Sequence, residues 1–174
     1  MTKAEFESAV REFKGMVYSI ASSFFHNAAI AEEVAQEVFL RLYEGHRNVD
    51  AGAHCVAWLR RTTVHRCIDT ARRASFGNEV QMDPLPDIPV DVPETDPLLQ
   101  EHLRRLIASL PEKPRAVMVL RFGEDMDVAE IGRTLQMPVS SVWSHLQRGT
   151  AMIREKAARY MKEKEYEQTR TRSS

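Results

Sequence analysis

The sequence predicts an all-α protein made of two small helical domains joined by an extended acidic, proline-rich linker. Apolar residues recur at helical spacing in both halves of the chain, and no segment shows the alternation of a half-buried strand. Five of the eight prolines fall between Pro84 and Pro97, which separates the two helical halves. At 174 residues, with 43% hydrophobic and 28% charged residues, the chain is long enough for two small folded domains.

The N-terminal domain, residues 1–76, is predicted to contain three helices. Thr2 and Glu5 form a capping-box pattern at the start of the first helix, which ends at His26-Asn27. The second spans about 28–44 and the third about 53–73, with a polar loop between them. The predicted inward residues are Phe6, Val10, Phe13, Val17, Ile20 and Phe24 on the first helix, Ala31, Val34, Val38 and Leu42 on the second, and Val56, Leu59, Thr63 and Cys67 on the third.

The central segment, residues 77–97, is predicted to be an extended linker. It holds six acidic residues and no Lys or Arg, and its prolines oppose helix formation because they lack a backbone N–H. In polyproline geometry a segment of this length reaches roughly 65 Å. The overall net charge of −1 therefore hides an uneven distribution of +1 over residues 1–76, −6 over 77–97 and +4 over 98–174.

The C-terminal domain, residues 98–174, is also predicted to be helical. Leucines spaced by three or four residues from Leu99 to Leu110 predict one helix, and a short helix follows Pro111 as far as Phe122. We expect the charged tail after Arg159 to fray.

A helix-turn-helix is predicted over about 127–154. Asp127 and Glu130 form a cap pattern for its first helix, residues 136–138 form the turn, and Ser140 caps the second helix. In such motifs the first turns of the second helix contact base edges in the major groove. The alternative is an ordinary helical hairpin, which any α domain can contain. The candidates for DNA contact are Ser140, Ser141, Trp143, Ser144, His145 and Arg148.

The third helix carries a second candidate nucleic-acid surface. Residues 60–73 contain five arginines and one acid, the local positive excess that phosphate binding requires, although such clusters are often ordinary solvated faces. Trp58 could stack on an unpaired base, but packing in the core is its commoner role. The candidates on this surface are Trp58, Arg60, Arg61, His65, Arg66, Arg72 and Arg73.

An acidic face on the second helix suits a basic protein partner, with an ordinary solvated face as the alternative. It consists of Glu32, Glu33, Gln36 and Glu37, with Leu40 one turn beyond Gln36.

Enzyme chemistry finds little support in the sequence. No glycine-rich phosphate loop and no nucleophile elbow is present. His54-Cys55 and the pair His65 and Cys67 lack zinc-knuckle spacing, so we expect no metal and no cofactor. Two cysteines are too few for a disulfide framework and fit a reducing cytoplasm. We expect neither a signal peptide nor a membrane span.

Three motifs, in order, make the chain resemble a bacterial RNA polymerase sigma factor of the extracytoplasmic-function (ECF) type, within the sigma-70 family. AEEVAQEVFLRLY at 31–43 resembles the helix that grips the clamp coiled coil of core polymerase. AWLRR at 57–61 with CIDTARR at 67–73 resembles the segment that melts and reads the minus-ten element. LPEKPRAVMVLRF at 110–122, AEIG at 129–132 and VWSHLQR at 142–148 resemble the domain that reads the minus-thirty-five element.

The resemblance implies a role for each candidate surface. Glu32, Glu33, Gln36, Glu37 and Leu40 would dock on the polymerase clamp. Charge reversal at Glu33 and Glu37 would abolish that binding and leave the fold intact. The third-helix candidates would hold DNA at the minus-ten element, and the recognition-helix candidates would contact the minus-thirty-five element. The loop from His46 to Gly52 would capture a flipped base, and the acidic linker would thread the polymerase interior.

The partners implied by the resemblance are core RNA polymerase, bound through its clamp and flap, promoter DNA and an anti-sigma factor. A non-enzymatic role in transcription initiation follows, in the cytoplasm and in a stress or envelope response, with neither membrane insertion nor a small-molecule substrate.

The chain departs from the family pattern at several positions. Ile30 replaces a common Asp, His65 a common Asn, and Gln136 the glycine of the turn. Gln136 must therefore either tolerate a less comfortable backbone than glycine would or reshape the turn. Trp143 and His145 stand where Lys and Arg are common, and Gly149 and Thr150 also differ. The recognition helix is therefore less basic than usual, and His145 could make DNA contact sensitive to pH.

Three other classes of protein remain as alternatives. A stand-alone helix-turn-helix regulator would usually dimerise on a palindrome and does not require the acidic face. A metal-dependent helical enzyme would use His54, His65 and the cysteines. A scaffold that kept the fold but lost promoter recognition would fit the weakly basic recognition helix.

Overall fold

The computed structural model describes residues 2–45, 53–77 and 97–172. Within these ranges the chain forms seven α-helices and one π-helical turn and contains no strand, which confirms the all-α prediction. The predicted base-capturing loop and all but the ends of the predicted linker lie outside the described residues.

The N-terminal lobe consists of α1 (Lys3–Phe25), α2 (Ala28–Gly45) and α3 (Ala53–Gly77). The predicted capping box opens α1, because the Glu5 N–H donates to Thr2 Oγ1 at 3.2 Å and the Thr2 N–H donates to a Glu5 carboxylate oxygen at 2.5 Å. At the end of α1 the chain turns through His26, which has a φ of 51° in the left-handed region.

The core of this lobe follows the predicted helical spacing. Val17, Ile20 and Phe24 of α1 and all four predicted residues of α2 are buried, whereas Phe6, Val10 and Phe13 are half-buried. On α3 the fully buried residues are Cys55, Leu59, Thr63, Val64 and Cys67, and Val56 is half-buried. Thr63 satisfies its hydroxyl in this apolar setting by donating to the Leu59 carbonyl at 2.7 Å.

The C-terminal lobe consists of α4 (Pro97–Ala108), α5 (Glu112–Met118), a π-helical turn (Val119–Gly123), α6 (Val128–Leu135) and α7 (Val139–Arg172). The short helix predicted to reach Phe122 is thus α5 followed by the π-helical turn. The expected fraying after Arg159 is wrong, because the α7 backbone remains helical to Arg172.

Helices α6 and α7 form the predicted helix-turn-helix. Asp127 and Glu130 make a reciprocal capping box with both distances at 2.8 Å. Of the two possibilities at the turn, Gln136 takes the less comfortable left-handed backbone, with a φ of 53°. The predicted Ser140 cap must be corrected, because α7 begins at Val139 and Ser140 lies inside its first turn. The Pro138 carbonyl instead accepts from the N–H groups of the next turn, at 2.9 and 3.2 Å.

The two lobes pack against each other. Helix α1 contacts α4 and the π-helical turn, and α3 contacts α5 and α6. Buried apolar residues from both lobes form one continuous cluster, which includes Phe24 and Leu59 on one side and Leu110 and Leu120 on the other. The face of α3 that bears arginines therefore lies beside the C-terminal lobe.

Candidate functional site

An apolar groove of about 750 Å³ runs between α1 and α2. Leu40 and Tyr43 are 56% and 54% exposed, which is unusual for large apolar side chains on a helix that also contributes to the core. The Tyr43 ring meets that of Phe6 edge to face, with centroids 5.2 Å apart. Other side chains along the groove are Val10, Lys14, Tyr18, Glu32, Gln36 and Phe39.

The predicted acidic face divides into two parts. Glu32, Gln36 and Leu40 lie one helical turn apart and line the groove. Glu33 is exposed outside the residues that line it, whereas Glu37 forms an ion pair through Oε2 with Nη2 of Arg66. The expectation that charge reversal at Glu37 leaves the fold intact must be corrected, because a cation there would face the buried Arg66 guanidinium.

Sequence reasoning missed the contribution of α1 to the groove. Phe6 and Val10 belong to the predicted core stripe of α1, yet both line the groove and are half-buried. The available signal was Tyr18, which lies off that stripe and is 37% exposed.

Apart from Arg72, which is exposed and paired with an acid, the solvent-facing part of the α3 surface consists mainly of Arg61 and Arg73, both exposed. Nη2 of Arg73 lies 3.5 Å from the Thr70 hydroxyl. His65 is half-buried, and burial, followed by the charge of Arg61, lowers its pKa. Trp58 packs against the core, in keeping with its commoner role, and Arg66 is occupied by Glu37.

Two further arginines of this surface are paired with acids of the C-terminal lobe. Nε of Arg60 lies 3.4 Å from Oε2 of Glu124, whose side chain is only 10% exposed. Burial raises the pKa of Glu124, and Arg60 counteracts that effect. Nε of Arg72 lies 3.3 Å from Oε1 of Glu112. The candidates for binding the minus-ten element thus lie on one helix, but their side chains do not form one continuous solvent-exposed surface.

The recognition-helix candidates occupy the first turns of α7. Ser140, Trp143, Ser144 and Arg148 are exposed, Trp143 by 54%. Ser141 is half-buried. The Ser144 hydroxyl donates back to the Ser140 carbonyl at 3.0 Å, so its oxygen remains able to accept a further hydrogen bond.

His145 is half-buried, and its Nδ1 has no hydrogen-bond partner among the described residues. Burial, followed by the charges of Arg148 and Lys113, lowers its pKa. In the free chain this ring is therefore protonated less readily than an ordinary histidine side chain.

Neither cysteine is placed for metal binding or nucleophilic chemistry. Cys55 and Cys67 are free thiols, 1% and 0% exposed, and burial raises the pKa of each. Among the described residues no group of three His, Cys, Asp or Glu side chains could hold a metal ion. Within the same part of the chain, no helix is long and apolar enough to cross a membrane.

Two family models match the chain: Sigma-70 region 2 over residues 9–76 and Sigma-70, region 4 over residues 100–153. The first match contains the groove apart from Phe6 and all of α3 but its last residue, and the second contains the helix-turn-helix up to Ile153. The two predicted DNA-binding surfaces, on α3 and at the start of α7, thus lie in different matched regions.

Named relatives and a solved structure agree with these matches. The ECF RNA polymerase sigma factor SigE of Mycolicibacterium smegmatis is 30% identical over 166 residues, which are 90% of this chain and 63% of that protein, so the chain spans less than two thirds of that relative. The ECF RNA polymerase sigma factor SigW of Bacillus subtilis is 27% identical over 162 residues, 86% of this chain and 87% of that protein.

The fold is similar to that of the sigma factor RpoE from Bartonella quintana, crystallised in complex with the anti-sigma factor NepR. The TM-score is 0.65 at 13% identity, over 86% of this chain and 94% of that chain. That similarity concerns the fold, whereas the two regional matches and the ECF relatives lead to one conclusion: the chain belongs to the sigma-70 family of RNA polymerase sigma factors, as a member of the ECF type.

Proposed function

We propose that this protein binds core RNA polymerase, directs it to promoters and helps to open the DNA there. The observation that carries the proposal is the presence, in one chain, of an apolar groove with Glu32 and Gln36 on its rim, an arginine-rich α3 and an exposed helix-turn-helix. A stand-alone DNA-binding regulator needs only the last of these. The role is that of an initiation factor without enzymatic activity or cofactor.

The groove between α1 and α2 is the proposed docking site for the polymerase clamp. Its apolar floor and the exposed Leu40 and Tyr43 suit the apolar face of an amphipathic helix, as in other helix-in-groove complexes. Glu32 and Gln36 on the rim would meet basic or polar residues that flank that face. Glu33 would contribute long-range attraction, and Glu37 would support the site through Arg66.

The α3 surface is the proposed binding site for DNA around the minus-ten element. Arg61, Arg72 and Arg73 are exposed and can reach phosphates, although Nε of Arg72 also pairs with Glu112, and the less exposed Arg60 is paired with Glu124. His65 would act as a neutral donor or acceptor because its pKa is lowered. Trp58 would support α3 from the core side.

The start of α7 is the proposed reader of the minus-thirty-five element. Ser140 and Ser144 can hydrogen-bond to bases or phosphates, and Arg148 can pair with a phosphate. Trp143 offers an apolar surface that suits the methyl group of thymine. The same lobe would contact the polymerase flap. This helix would therefore depend more on shape and apolar contact than on charge.

We infer that an anti-sigma factor holds this protein inactive in the cytoplasm until a stress or envelope signal releases it. Two observations support that inference: the ECF relatives, and the fact that the similar RpoE structure was solved with the anti-sigma factor NepR.

The test is run-off transcription with purified core polymerase on a pooled library of genomic fragments. The full chain should produce discrete transcripts that core polymerase alone does not. Arg61→Gln/Arg73→Gln should weaken transcription at all of these promoters, because phosphate contacts carry no sequence information. Trp143→Ala should change their relative strengths. A chain that binds core polymerase but yields no discrete transcript would instead be a scaffold that has lost promoter recognition.

A further inference from the structure

The first turns of α7 expose one continuous stripe of side chains, spaced three and four residues apart. The residues of this stripe are Ser140, Trp143, Ser144 and Gln147, and all four are exposed. His145 lies off the stripe and is half-buried. Helices that read the major groove use side chains at this spacing to reach base edges. Gln147 was not among the candidates from the sequence, yet it continues the stripe by one turn.

Close packing on the opposite side fixes the rotation of α7. Val142 and Leu146 are buried and lie between the exposed positions. One turn farther along, a Cβ at Gly149 would lie 3.1 Å from Cγ of Met118 in α5, so the two helices approach as closely as a glycine allows. The stripe therefore faces solvent on a helix whose orientation is set by the core of its lobe.

The chemistry of the stripe does not suit guanine. Arg and Lys make the commonest specific contact with guanine, through its O6 and N7 acceptors. None of the four stripe residues is charged, and the first cation along α7 is Arg148, the proposed phosphate contact. The base contacts of the stripe must therefore come from an indole, an amide and two hydroxyl groups.

Trp143 and Gln147 suit the two bases of A·T pairs. The Trp143 side chain is 54% exposed and has a single N–H donor, so its main contribution at a base edge is apolar contact. The apolar group that the major groove offers is the methyl group of thymine. The Gln147 amide carries a donor and an acceptor side by side, which match N7 and the N6 amino group of adenine.

Ser144 has the same preference against guanine. Its hydroxyl already donates to the Ser140 carbonyl at 3.0 Å, which leaves the oxygen as an acceptor toward DNA. The donors in the major groove are the amino groups of adenine and cytosine, whereas guanine presents acceptors only. An adenine near Gln147 would therefore satisfy both side chains in kind.

We propose that Trp143 and Gln147 determine the base preference of α7: Trp143 contacts a thymine methyl group, and Gln147 hydrogen-bonds to N7 and N6 of an adenine in a neighbouring base pair. Residues one helical turn apart are separated by about 6 Å along the axis, within two base-pair steps of about 3.4 Å each. This inference rests on the proposed role of α7 at the minus-thirty-five element. It adds which bases the element presents to these two side chains.

The first arm of the test selects DNA duplexes from a randomised pool with the full chain, once with core polymerase and once without it. The native chain should enrich sequences that share a thymine and an adenine within about two base pairs. Trp143→Arg should exchange that thymine for guanine, because Arg pairs bidentately with O6 and N7 of guanine. Phe122→Arg is the matched control, since Phe122 is 63% exposed in the same lobe but off α7, and it should leave the enriched sequence unchanged.

The second arm replaces single bases of the enriched duplex by analogues and measures binding by fluorescence anisotropy. Deoxyuridine in place of the thymine removes only the methyl group and should weaken binding about three- to fivefold. Trp143→Ala should bind the two duplexes equally, because the methyl group has lost its partner. Both Trp143 and Gln147 are exposed, so their variants should melt as the native chain does.

The same arm tests Gln147 with 7-deazaadenine, which lacks only the N7 acceptor of adenine. This analogue should weaken binding of the native chain about three- to tenfold through the lost hydrogen bond. Gln147→Ala should bind the natural and modified duplexes equally. Gln100→Ala, at an exposed position of α4, is the matched control and should respond to the analogue as the native chain does.

Each outcome decides the inference. A methyl effect that disappears only in Trp143→Ala, together with an N7 effect that disappears only in Gln147→Ala, supports it. No shared sequence under either condition would overturn it, and so would analogue effects that are the same in the native chain and in these variants. If the shared sequence is enriched without core polymerase and the chain does not bind polymerase, the proposed initiation role fails while the base contacts can still be measured.

Discussion

The guanidinium of Arg115 in α5 caps the end of α1 in the other lobe, by donating to the Phe24 carbonyl and lying over the Phe24 ring. A helix C-terminus presents carbonyl groups without intrahelical partners and favours a nearby cation. One side chain thus satisfies carbonyls in both lobes, since it also donates to Leu110. Burial lowers its pKa to about 10, so it remains charged at neutral pH.

The first prediction concerns this arginine. Arg115→Met keeps most of the aliphatic stem but removes every donor, so the Leu110 and Phe24 carbonyls lose their partner. We expect a loss of about 2–4 kcal/mol in the free energy of unfolding, measured by urea denaturation, because buried acceptors left unsatisfied are costly. Arg154→Met at an exposed position of α7 is the matched control and should change stability by less than about 0.5 kcal/mol. Equal effects of the two substitutions would refute the role assigned to Arg115.

The second prediction concerns pH and His102. This ring is 7% exposed and packs on Tyr160, with centroids 4.7 Å apart. Burial, followed by the charge of Arg105, lowers its pKa below the ordinary 6.5, so below that pH the unfolded chain binds more protons than the folded protein. The free energy of unfolding should therefore fall as pH drops from 6.5 toward the lowered folded pKa.

Urea denaturation at pH 7.5, 6.5 and 5.5 tests this dependence. His102→Gln should make the free energy of unfolding less dependent on pH. Part of the dependence will remain, because the pKa values of His65 and His145 are also lowered. His54→Gln is the control, because it removes an exposed imidazole and should change the free energy of unfolding at pH 7.5 by less than about 0.5 kcal/mol. Parallel profiles for the native and His102→Gln proteins would contradict the prediction.

The third prediction concerns the turn of the helix-turn-helix. Gln136 holds a φ of 53°, which glycine adopts without steric cost. Gln136→Gly should therefore raise the free energy of unfolding by about 0.5–1 kcal/mol, as read from urea denaturation. Arg133→Gly, inside α6, should lower it by about 1 kcal/mol because that backbone is helical. If both substitutions destabilise equally, the turn does not favour glycine.

The fourth prediction separates docking from folding at the groove. Leu40→Asp should weaken binding to core polymerase at least tenfold, which corresponds to about 1.4 kcal/mol, because it places a charge where an apolar partner would pack. Leu40 is exposed, so the melting temperature should hardly change. Binding is measured by fluorescence titration of labelled protein with core polymerase.

Met161→Asp serves as the control for this substitution, because Met161 is 48% exposed on α7, away from the groove. It should bind core polymerase as the native chain does. If Leu40→Asp also binds normally, the groove is not the docking site for the clamp.

Local signals in the sequence predicted the helices well. The capping boxes at Thr2 and Asp127 and the turn at residues 136–138 depend on neighbouring residues only, and the structure contains all three. The π-helical turn and the persistence of α7 beyond Arg159 were missed, because neither has a distinctive pattern of spacing.

The candidate surfaces were harder to predict because their residues depend on contacts between distant segments. Helical spacing assigned Glu37 to the acidic face of α2 and Arg66 to the arginine-rich surface of α3. The packing of α2 on α3 instead pairs the two side chains with each other. In the same way, the arginine excess of α3 was visible, whereas Glu112 and Glu124 could be assigned to it only once the lobes were seen together. Charge counts identify a basic helix and leave open which of its charges are already compensated.

The most direct test of the central claim is to map the 5′ ends of transcripts made by purified core polymerase on genomic DNA, with and without the full chain. If the protein is a sigma factor, discrete start sites will appear only in its presence and will share two upstream sequence elements, one for each DNA-facing surface. The same 5′ ends with and without the chain, or added starts that share no upstream element, would contradict the account.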